Sequence, residues 1–463
     1  MSRSFVRRII LQVLPSATRA TAGFALSAAC LAGLLMTPRA ASAQGLYASP
    51  TSTPVSITTG ATPRAVAAAD FARSGFQGLA VVTSGDNSLN VYRGTGNGTF
   101  AAGAQSQTCA APTSVLAADV NNDGYPDLLV ACASSNTVDL YLNKAAGGPG
   151  TFPLYPSYTF SVTNPVAMVT GDFLGNGYAS VAIASGSGGI TVVVNTNGNS
   201  GVASTIAVSG TLTGITTGDF NHDGHLDLAV SDGAGNQVRV VFGNGAGNFT
   251  GLTSYSTGSG TKPSGIATDD FNHDGNLDLA VTNAGTGTVG ILLGSAAGTF
   301  GAATTKSVGL TPVALSITDV NSDGNPDVIA YDAVTSATGS QNAYVVLLGN
   351  GNGTLQAAQT SSLAGLPGSQ AAVFDFDRDG KPDLAVAQQA QNTVLLLHNN
   401  TLPTQLDSGR SFAAYSPQSA GNGNMADSVA AGDFNLDGKL DVAVTYLQDN
   451  VVRVLQNNGS GGF

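Results

Sequence analysis

The sequence predicts an all-β fold made of one repeated unit, and two observations lead to this prediction. The first is composition: the 463 residues include 60 Gly and 29 Asp but no Glu. Strong helix formers are scarce while Gly, Ser, Thr, Asn and Val abound, which favours short strands joined by tight turns. The second is a nine-residue acidic segment that recurs along the chain. Because only 10% of the residues are charged, the composition also argues against a disordered tail.

The acidic segment sets the period of the repeat. It is nearly identical at 219–227 and 270–278. Complete copies begin at Asp119, Asp219, Asp270, Asp319, Asp375 and Asp433, and degenerate copies begin at Asp70 and Asp172. Neighbouring copies start about 52 residues apart, which is the size expected of one blade of a β-propeller.

Each unit contains four predicted strands. In the fifth unit these are residues 265–268, 279–282, 289–293 and 303–308, with the acidic segment between the first two. Four short strands per unit, repeated radially, predict a β-propeller of eight four-stranded blades. Seven blades is the alternative, if one degenerate unit does not form a blade.

The two ends of the chain complement each other in this prediction. The last unit stops before its fourth strand, whereas residues 54–59 form a spare strand ahead of the first unit. We therefore predict that 54–59 pairs with 451–455 and closes the ring. The propeller is expected to occupy 44–463 as a single domain.

Residues 1–43 have the layout of a secretory signal peptide. Arg3, Arg7 and Arg8 precede an apolar run at 22–36, and a small-residue cleavage site follows at 41–43. A twin-arginine signal is an alternative. The mature chain is therefore expected to be secreted, periplasmic or at the cell surface, with no membrane span, because the apolar run is shorter than a spanning helix.

The charge balance limits the possible partners. Cleavage after residue 43 would leave 12 basic and 29 acidic residues, a formal charge of −17. Because such a surface cannot neutralise phosphates, nucleic acid is not an expected partner. The two remaining cysteines, Cys109 and Cys132, could form a disulfide in an oxidising compartment or remain two buried free thiols.

The complete acidic segments have the composition of a cation-binding loop. Side chains that carry oxygen occupy positions 1, 3, 5 and 9, and position 6 is Gly. Hard cations such as Ca²⁺ take six to eight oxygen ligands, and a position 7 carbonyl can complete the set. The loops predict about six Ca²⁺ sites, with position 7 acting through its carbonyl. The predicted ligands are Asp119, Asn121, Asp123, Tyr125, Asp127, Asp219, Asn221, Asp223, His225, Asp227, Asp270, Asn272, Asp274, Asn276, Asp278, Asp319, Asn321, Asp323, Asn325, Asp327, Asp375, Asp377, Asp379, Lys381, Asp383, Asp433, Asn435, Asp437, Lys439 and Asp441.

The alternative is that these segments are turns stabilised only by Asp and Asn side chains that bond to the backbone. Six segments with the same four positions filled favour metal, since converging carboxylates without a cation would repel one another. The degenerate copies at Asp70 and Asp172 lack the second and third carboxylates. No tight ion is expected in them.

These units resemble the FG-GAP/VCBS repeats of integrin-α-type propellers and of many exported bacterial proteins. The resemblance rests on the acidic loops, on the Leu-Ala-Val strands that follow them, and on Gly-rich turns such as 242–249. It implies calcium between the first two strands of a blade, on one face of the disc. It also implies that partners are often bound by loops on the other face.

The sequence predicts a binding function rather than catalysis. His222, His225, His273 and His398 are interpreted as structural or exposed residues, so no catalytic constellation is expected. The predicted function is a non-catalytic binding or adhesion module for an extracellular or envelope ligand, either a glycan or a protein. The loops at 332–343 and 417–427 are unusually long and could contact it, or could be tolerated insertions. The alternatives are a carbohydrate-active lyase or hydrolase built on the propeller, and a passive envelope scaffold.

Overall fold

The computed structural model describes most of the repeat region. The described residues are 55–58, 61, 63–75, 78–94, 100–143, 150–196, 199–309, 311–332, 342–363, 367–374, 382–388, 393–398, 413–414, 426–435, 437, 439–446 and 450–457. The predicted signal peptide, the seventh acidic loop at 375–381 and most of the two long loops lie outside them.

The elements of the described residues are short strands, as the composition predicts. They are β1 (Val55–Thr58), β2 (Pro63–Ala69), β3 (Gly78–Thr83), β4 (Ser88–Gly94), β5 (Phe100–Gln107), β6 (Ser114–Ala118), β7 (Asp127–Cys132), β8 (Thr137–Tyr141), β9 (Tyr158–Ser161), β10 (Pro165–Gly171), β11 (Ser180–Ser185), β12 (Ile190–Thr196), β13 (Asn199–Ile206), β14 (Leu212–Gly218), β15 (Asp227–Asp232), β16 (Gln237–Gly243), β17 (Phe249–Ser256), β18 (Pro263–Asp269), β19 (Asp278–Asn283), β20 (Thr288–Leu292), β21 (Thr304–Ser307), β22 (Pro312–Thr318), β23 (Asp327–Asp332), β24 (Asn342–Leu347), β25 (Gln359–Leu363), β26 (Pro367–Phe374), β27 (Asp383–Gln388), β28 (Thr393–His398), β29 (Ala413–Ala414), β30 (Ala426–Gly432), β31 (Asp441–Tyr446) and β32 (Val451–Leu455).

Within the described residues these strands form eight antiparallel sheets of four strands. Seven sheets follow the chain order, from β2-β3-β4-β5 to β26-β27-β28-β29. The eighth has the order β1-β32-β31-β30. The architecture is a β-propeller of eight blades, and both degenerate units form blades.

Strand β1 closes the ring in the predicted way. It pairs antiparallel with β32, with Val55 opposite Val454 and Thr58 opposite Val451. The N-terminal segment therefore supplies the fourth strand of the blade whose other three strands come from the C-terminus. This pairing covers an edge that would otherwise present free N–H and C=O groups.

The first strand of each blade lies towards the centre of the ring. First strands of successive blades contact one another, as β14 does with β18 and β18 with β22, and β30 contacts both β26 and β2. Most of these strands carry a register shift near their first residues, and five of them begin with Pro. Pro is tolerated there because an edge strand leaves N–H groups outside the ladder.

The core consists of apolar layers between neighbouring blades. The second strands, such as β15 and β19, are buried along their whole length. In four of the described blades, Phe at position 2 of the acidic loop packs edge-on against an aromatic ring of the next blade. Ring-centroid distances are 5.3–5.7 Å for the pairs Phe71–Phe152, Phe173–Phe249, Phe220–Phe300 and Phe434–Phe100. The last pair joins the eighth blade to the first.

Cys109 and Cys132 form a disulfide, with their Cα atoms 6.0 Å apart. It ties the link between β5 and β6 to the end of β7, so it connects the first two blades. In the described residues no helix is long and apolar enough to span a membrane.

Candidate functional site

The acidic loops lie between the first and second strands of their blades, as predicted. The four complete loops that start at Asp119, Asp219, Asp270 and Asp319 are described in full, and the loop that starts at Asp433 is described in part. Because every described loop joins the same two strands of its blade, the described loops lie on one face of the disc. We call this the loop face.

Position 1 closes each loop on itself. In the fourth blade, Asp219 Oδ1 accepts the N–H of Asp223 at 3.1 Å and Oδ2 accepts the N–H of Gly224 at 3.0 Å. Gly224 has φ +85°, which only glycine adopts without strain. In the degenerate first loop Asp70 accepts the corresponding N–H groups at 3.0 and 2.7 Å. Position 1 therefore has a structural role that does not require the other carboxylates.

Positions 3 and 5 point to the same side as position 1. Asn221 Oδ1 accepts the Asp223 N–H at 3.0 Å, the same N–H that Asp219 accepts. The Asn221 amide donates to Asp223 Oδ2 at 3.1 Å. The loops at Asp119, Asp270 and Asp319 repeat these bonds. Three oxygen-bearing side chains thus converge at the mouth of each of these four loops.

Position 9, which is also a predicted ligand, makes backbone hydrogen bonds within its blade. Asp227 is fully buried, and its two oxygens accept the N–H of Phe220 at 2.9 Å and of Gly243 at 2.8 Å. The carboxylate therefore joins the start of the loop to the end of the third strand. Equivalent pairs of bonds are made by Asp127, Asp278, Asp327 and Asp441.

Burial raises the pKa of these position 9 carboxyls although two N–H groups bond to each. The pKa is raised to about 7 for Asp127, Asp327 and Asp441, and to about 6 for Asp227 and Asp278. The carboxylates at positions 5 and 1 of the same loop add to the effect through their negative charge. The loops therefore carry negative charge that their own donors compensate only in part.

The donor chemistry of the loops fits a hard cation. The side chains that converge are carboxylates and amides, which are oxygen ligands of the kind that Ca²⁺ prefers. No group of three or more Asp, His or Cys side chains in the described part of the chain is placed to hold a metal ion. In these loops position 3 is Asn, and the position 9 carboxylate accepts two backbone N–H groups. Positions 1, 3 and 5 would offer a cation their side-chain oxygens at the mouth of the loop.

The loops differ at position 7. In the eighth blade Lys439 Nζ lies 3.0 Å from Asp437 Oδ2, so an ammonium group already neutralises part of position 5. In the fifth blade Asn276 Nδ2 donates to Asp274 Oδ1 at 2.8 Å instead. The cation affinity of the loops should therefore not be uniform.

The histidines at position 4 make contacts that the sequence did not predict. His222 Nε2 lies 2.9 Å from Asn276 Oδ1, and His273 Nε2 lies 2.9 Å from Asn325 Oδ1. Each bond joins a loop to the loop of the next blade. The only feature of the sequence that pointed to these contacts was the recurrence of His at position 4. That recurrence does not by itself identify a partner about 50 residues away.

The opposite face holds a shallow cleft of about 420 Å³ beside the link between β17 and β18. Its polar lining is made of hydroxyl groups without charged side chains. The lining residues are Ser256, Thr257, Gly258, Thr261, Thr286, Thr288, Ala302, Ala303 and Thr305. Strands that flank the two long loops also end on this face, whereas the loops themselves lie outside the described residues.

Comparisons with known proteins agree with this architecture. No curated protein matches the chain. The solved structure of Sqt1 from Saccharomyces cerevisiae is similar at 10% identity and TM-score 0.59, covering 88% of this chain and 98% of that one. A functionally unknown protein from Desulfotomaculum acetoxidans is similar at 13% identity and TM-score 0.51, covering 74% and 100%. At these identities the likeness shows the fold alone.

The family assignment comes from the repeats themselves. The FG-GAP-like repeat family matches residues 78–130, 172–230, 219–281, 270–330, 319–386 and 375–444. Each of the last five matches runs from one acidic loop to the second strand of the next blade. The chain therefore belongs to the FG-GAP repeat family.

Proposed function

We propose that this propeller is an exported, calcium-stabilised binding module that recognises an extracellular or envelope ligand, a glycan or a protein, without catalysis. The fold and family support a binding module. The observation that carries the calcium part is the convergence of positions 1, 3 and 5, repeated in the described complete loops. The disulfide between Cys109 and Cys132 supports export, because disulfides persist in oxidising compartments.

The hydroxyl-lined cleft is our candidate contact for the ligand. Thr286 and Thr305 are exposed at its rim, and the lining carries no charge. Neutral hydroxyl groups suit a neutral, hydroxyl-rich ligand such as a glycan, which both donates and accepts hydrogen bonds. The cleft lies on the face opposite the acidic loops, so calcium can stabilise the scaffold without blocking it.

The test is binding of the purified mature chain to a broad array of polysaccharides and glycans, in millimolar Ca²⁺ and again in chelator. Saturable binding that requires Ca²⁺ is the expected result. A Thr286→Lys, Thr305→Lys variant should lose binding because the lysines fill the cleft. Thr304→Lys is the matched control, since successive residues of a strand point to opposite faces.

The same array distinguishes the alternatives. Release of sugar fragments from any polysaccharide would indicate a lyase or hydrolase built on the propeller. If the folded protein bound no member of the array, glycan recognition would be contradicted. A pull-down from the cell envelope would then test for a protein ligand. A chain that captures nothing in either experiment would be a passive scaffold.

A further inference from the structure

Two successive acidic loops are joined by a hydrogen bond from His222 to Asn276. His222 is at position 4 of the fourth loop and Asn276 is at position 7 of the fifth, with His222 Nε2 and Asn276 Oδ1 2.9 Å apart. The backbone of His222 has φ +59°. The same conformation occurs at position 4 of other complete loops, with φ +56° at Asn122 and +58° at Ser322, so it belongs to the turn itself and does not depend on the bond to the next blade.

This contact continues to a carboxylate of the fifth loop. Asn276 Nδ2 donates to Asp274 Oδ1 at 2.8 Å, and the Asn276 backbone N–H donates to the same oxygen at 2.8 Å. Because the amide nitrogen of Asn276 faces Asp274, its oxygen faces the imidazole, which must donate through Nε2–H. The three side chains form one chain of donors and acceptors, His222 to Asn276 to Asp274.

Asp274 is a position 5 residue, one of the three side chains that converge at the mouth of its loop. With two N–H donors on Oδ1 and the Asn272 amide on Oδ2 at 2.9 Å, its orientation is determined on both sides. Ligands that are held before a cation arrives lose less conformational entropy when it binds.

We propose that His222 and Asn276 are positioning residues that hold the Asp274 carboxylate for cation binding, so that the fourth blade raises the cation affinity of the fifth. The proposal rests on the proposed calcium binding by these loops. It adds coupling between blades, which a set of independent loops would lack.

The sixth loop provides a matched comparison. His273 bonds to Asn325 at the same 2.9 Å, and His273 has a similar φ of +57°. Asn325, however, bonds to Asp323 through its backbone N–H and makes no side-chain bond to that carboxylate. Loss of the His273 bond should therefore leave the sixth loop unchanged, although it breaks the same kind of link.

The experiment is a Ca²⁺ titration of the isotope-labelled mature chain, followed by NMR through the amide signals of position 6. Gly224, Gly275 and Gly324 each donate to the position 1 carboxylate of their own loop, so each reports its own site. His222→Ala should raise the midpoint at Gly275 about five-fold, the effect of losing one hydrogen bond. The midpoint at Gly324 should stay unchanged.

Two further variants separate positioning from a general loss of structure. His222→Gln keeps an N–H donor and should restore most of the Gly275 midpoint, whereas a structural defect would not be rescued. His273→Ala should leave the Gly324 midpoint unchanged. The melting temperatures of His222→Ala and wild type in chelator should agree within a few degrees, as expected for an exposed site.

The outcomes separate the two proposals. If Ca²⁺ moves none of the three glycine signals in the wild type, the proposed function fails and the inference fails with it. If Ca²⁺ binds but His222→Ala leaves the Gly275 midpoint unchanged, or His273→Ala shifts Gly324 by as much, only the inference is overturned.

Discussion

Asp232 and Arg239 form an ion pair inside the fourth blade, with Arg239 Nη2 3.0 Å from Asp232 Oδ2. Asp232 is fully buried. Burial alone would raise its pKa, but hydrogen bonds from Gln237, Gly235, Arg239 and Thr211 together outweigh burial and lower it below 3.8. The stabilisation from this ionised carboxylate is therefore complete above about pH 4 and is lost as the pH falls through the lowered pKa of the folded state.

Arg239→Gln should destabilise the chain by about 3 kcal/mol at pH 7, because it leaves a buried carboxylate without its ion-pair partner. Urea unfolding measures the difference. Since the variant loses one of the hydrogen bonds that lower the pKa of Asp232, the difference in unfolding free energy between it and the wild type should shrink at pH 3. Lys306→Gln, on an outer strand, is the control and should change little. A constant difference from pH 7 to pH 3 would contradict this account.

Lys439 illustrates how one side chain can alter one acidic loop. Its ammonium group lies 3.0 Å from Asp437 Oδ2, where it competes with a cation for position 5. Lys439→Asn should tighten Ca²⁺ binding at the eighth loop two- to five-fold, the range expected for a partly exposed ion pair. The amide signal of Asp437 reports this loop, since it bonds to Asn435. Weaker binding in the variant would show that Lys439 supports the site.

Lys262→Asn supplies the control for this prediction. Lys262 is exposed on the link before β18, on the face opposite the acidic loops. The Lys262→Asn substitution removes the same charge from the molecule and changes no residue of an acidic loop. Any general effect of net charge would appear in both variants, whereas the local effect should appear only at the eighth loop.

At the level of elements, the disulfide connects two blades that also share side-chain packing and hydrogen bonds, such as that from Asn143 Nδ2 to the Phe71 carbonyl. Cys132 is fully buried in the apolar cluster between the first and second blades, and Cys109 packs against it. The bond closes a segment with a sequence separation of 23 residues. Replacing both cysteines by Ser should cost about 3 kcal/mol. Reduction of the wild type should lower its melting temperature to that of the variant, and a variant that melts like the oxidised wild type would contradict this.

Strand β1 is expected to protect the eighth blade from pairing with other molecules. Removing residues 44–60 would leave β32 with an unpaired edge, and free edges recruit other strands. Light scattering after size-exclusion chromatography should show dimers or larger species. Removing only 44–52, ahead of β1, should leave a monomer of normal stability. If both truncated chains have the same oligomeric state, ring closure by β1 has no role in preventing self-association.

The repeat made the elements predictable, but not the contacts between them. Strands predicted at 265–268 and 289–293 correspond to β18 and β20, because short runs of apolar and β-branched residues between Gly-rich turns favour strands. The true start of β18 at Pro263 lies earlier, since a register shift lets the strand begin with Pro. The pair Phe220–Phe300 could not be predicted, because sequence spacing does not say which side of a blade meets the next.

The composition of the acidic loops was likewise predictable, whereas their contacts within and between blades were not. Their composition predicted oxygen ligands at positions 1, 3, 5 and 9. That Asp227 also joins Phe220 to Gly243 depends on where the third strand ends, which is a property of the folded blade. The bond from His222 to Asn276 depends likewise on the rotation between two blades.

At the scale of the whole molecule, the repeated loops put much of the negative charge on one face of the disc. The full chain has a formal charge of −12, and the position 9 carboxyls have raised pKa values because burial and neighbouring carboxylates disfavour their charged form. Cations bound only by the folded chain would stabilise it, each by about 2.7 kcal/mol at a concentration 100 times the dissociation constant. About six such sites acting together would exceed the whole stability of many domains.

Removing Ca²⁺ should therefore lower the melting temperature of the mature chain on the order of 20 °C. Differential scanning calorimetry in about 5 mM Ca²⁺, a saturating concentration for such sites, and again in chelator would measure this change in melting temperature. Asn substitution of Asp219, Asp270 and Asp319 tests whether the loops are responsible. Each substitution also weakens a loop-closing hydrogen bond, so the variants should melt at a lower temperature even in chelator. The rise in melting temperature that Ca²⁺ causes should become smaller with each loop that is disabled. A melting temperature that is unchanged after verified metal removal would contradict calcium binding, because a cation bound only by the folded chain must stabilise it.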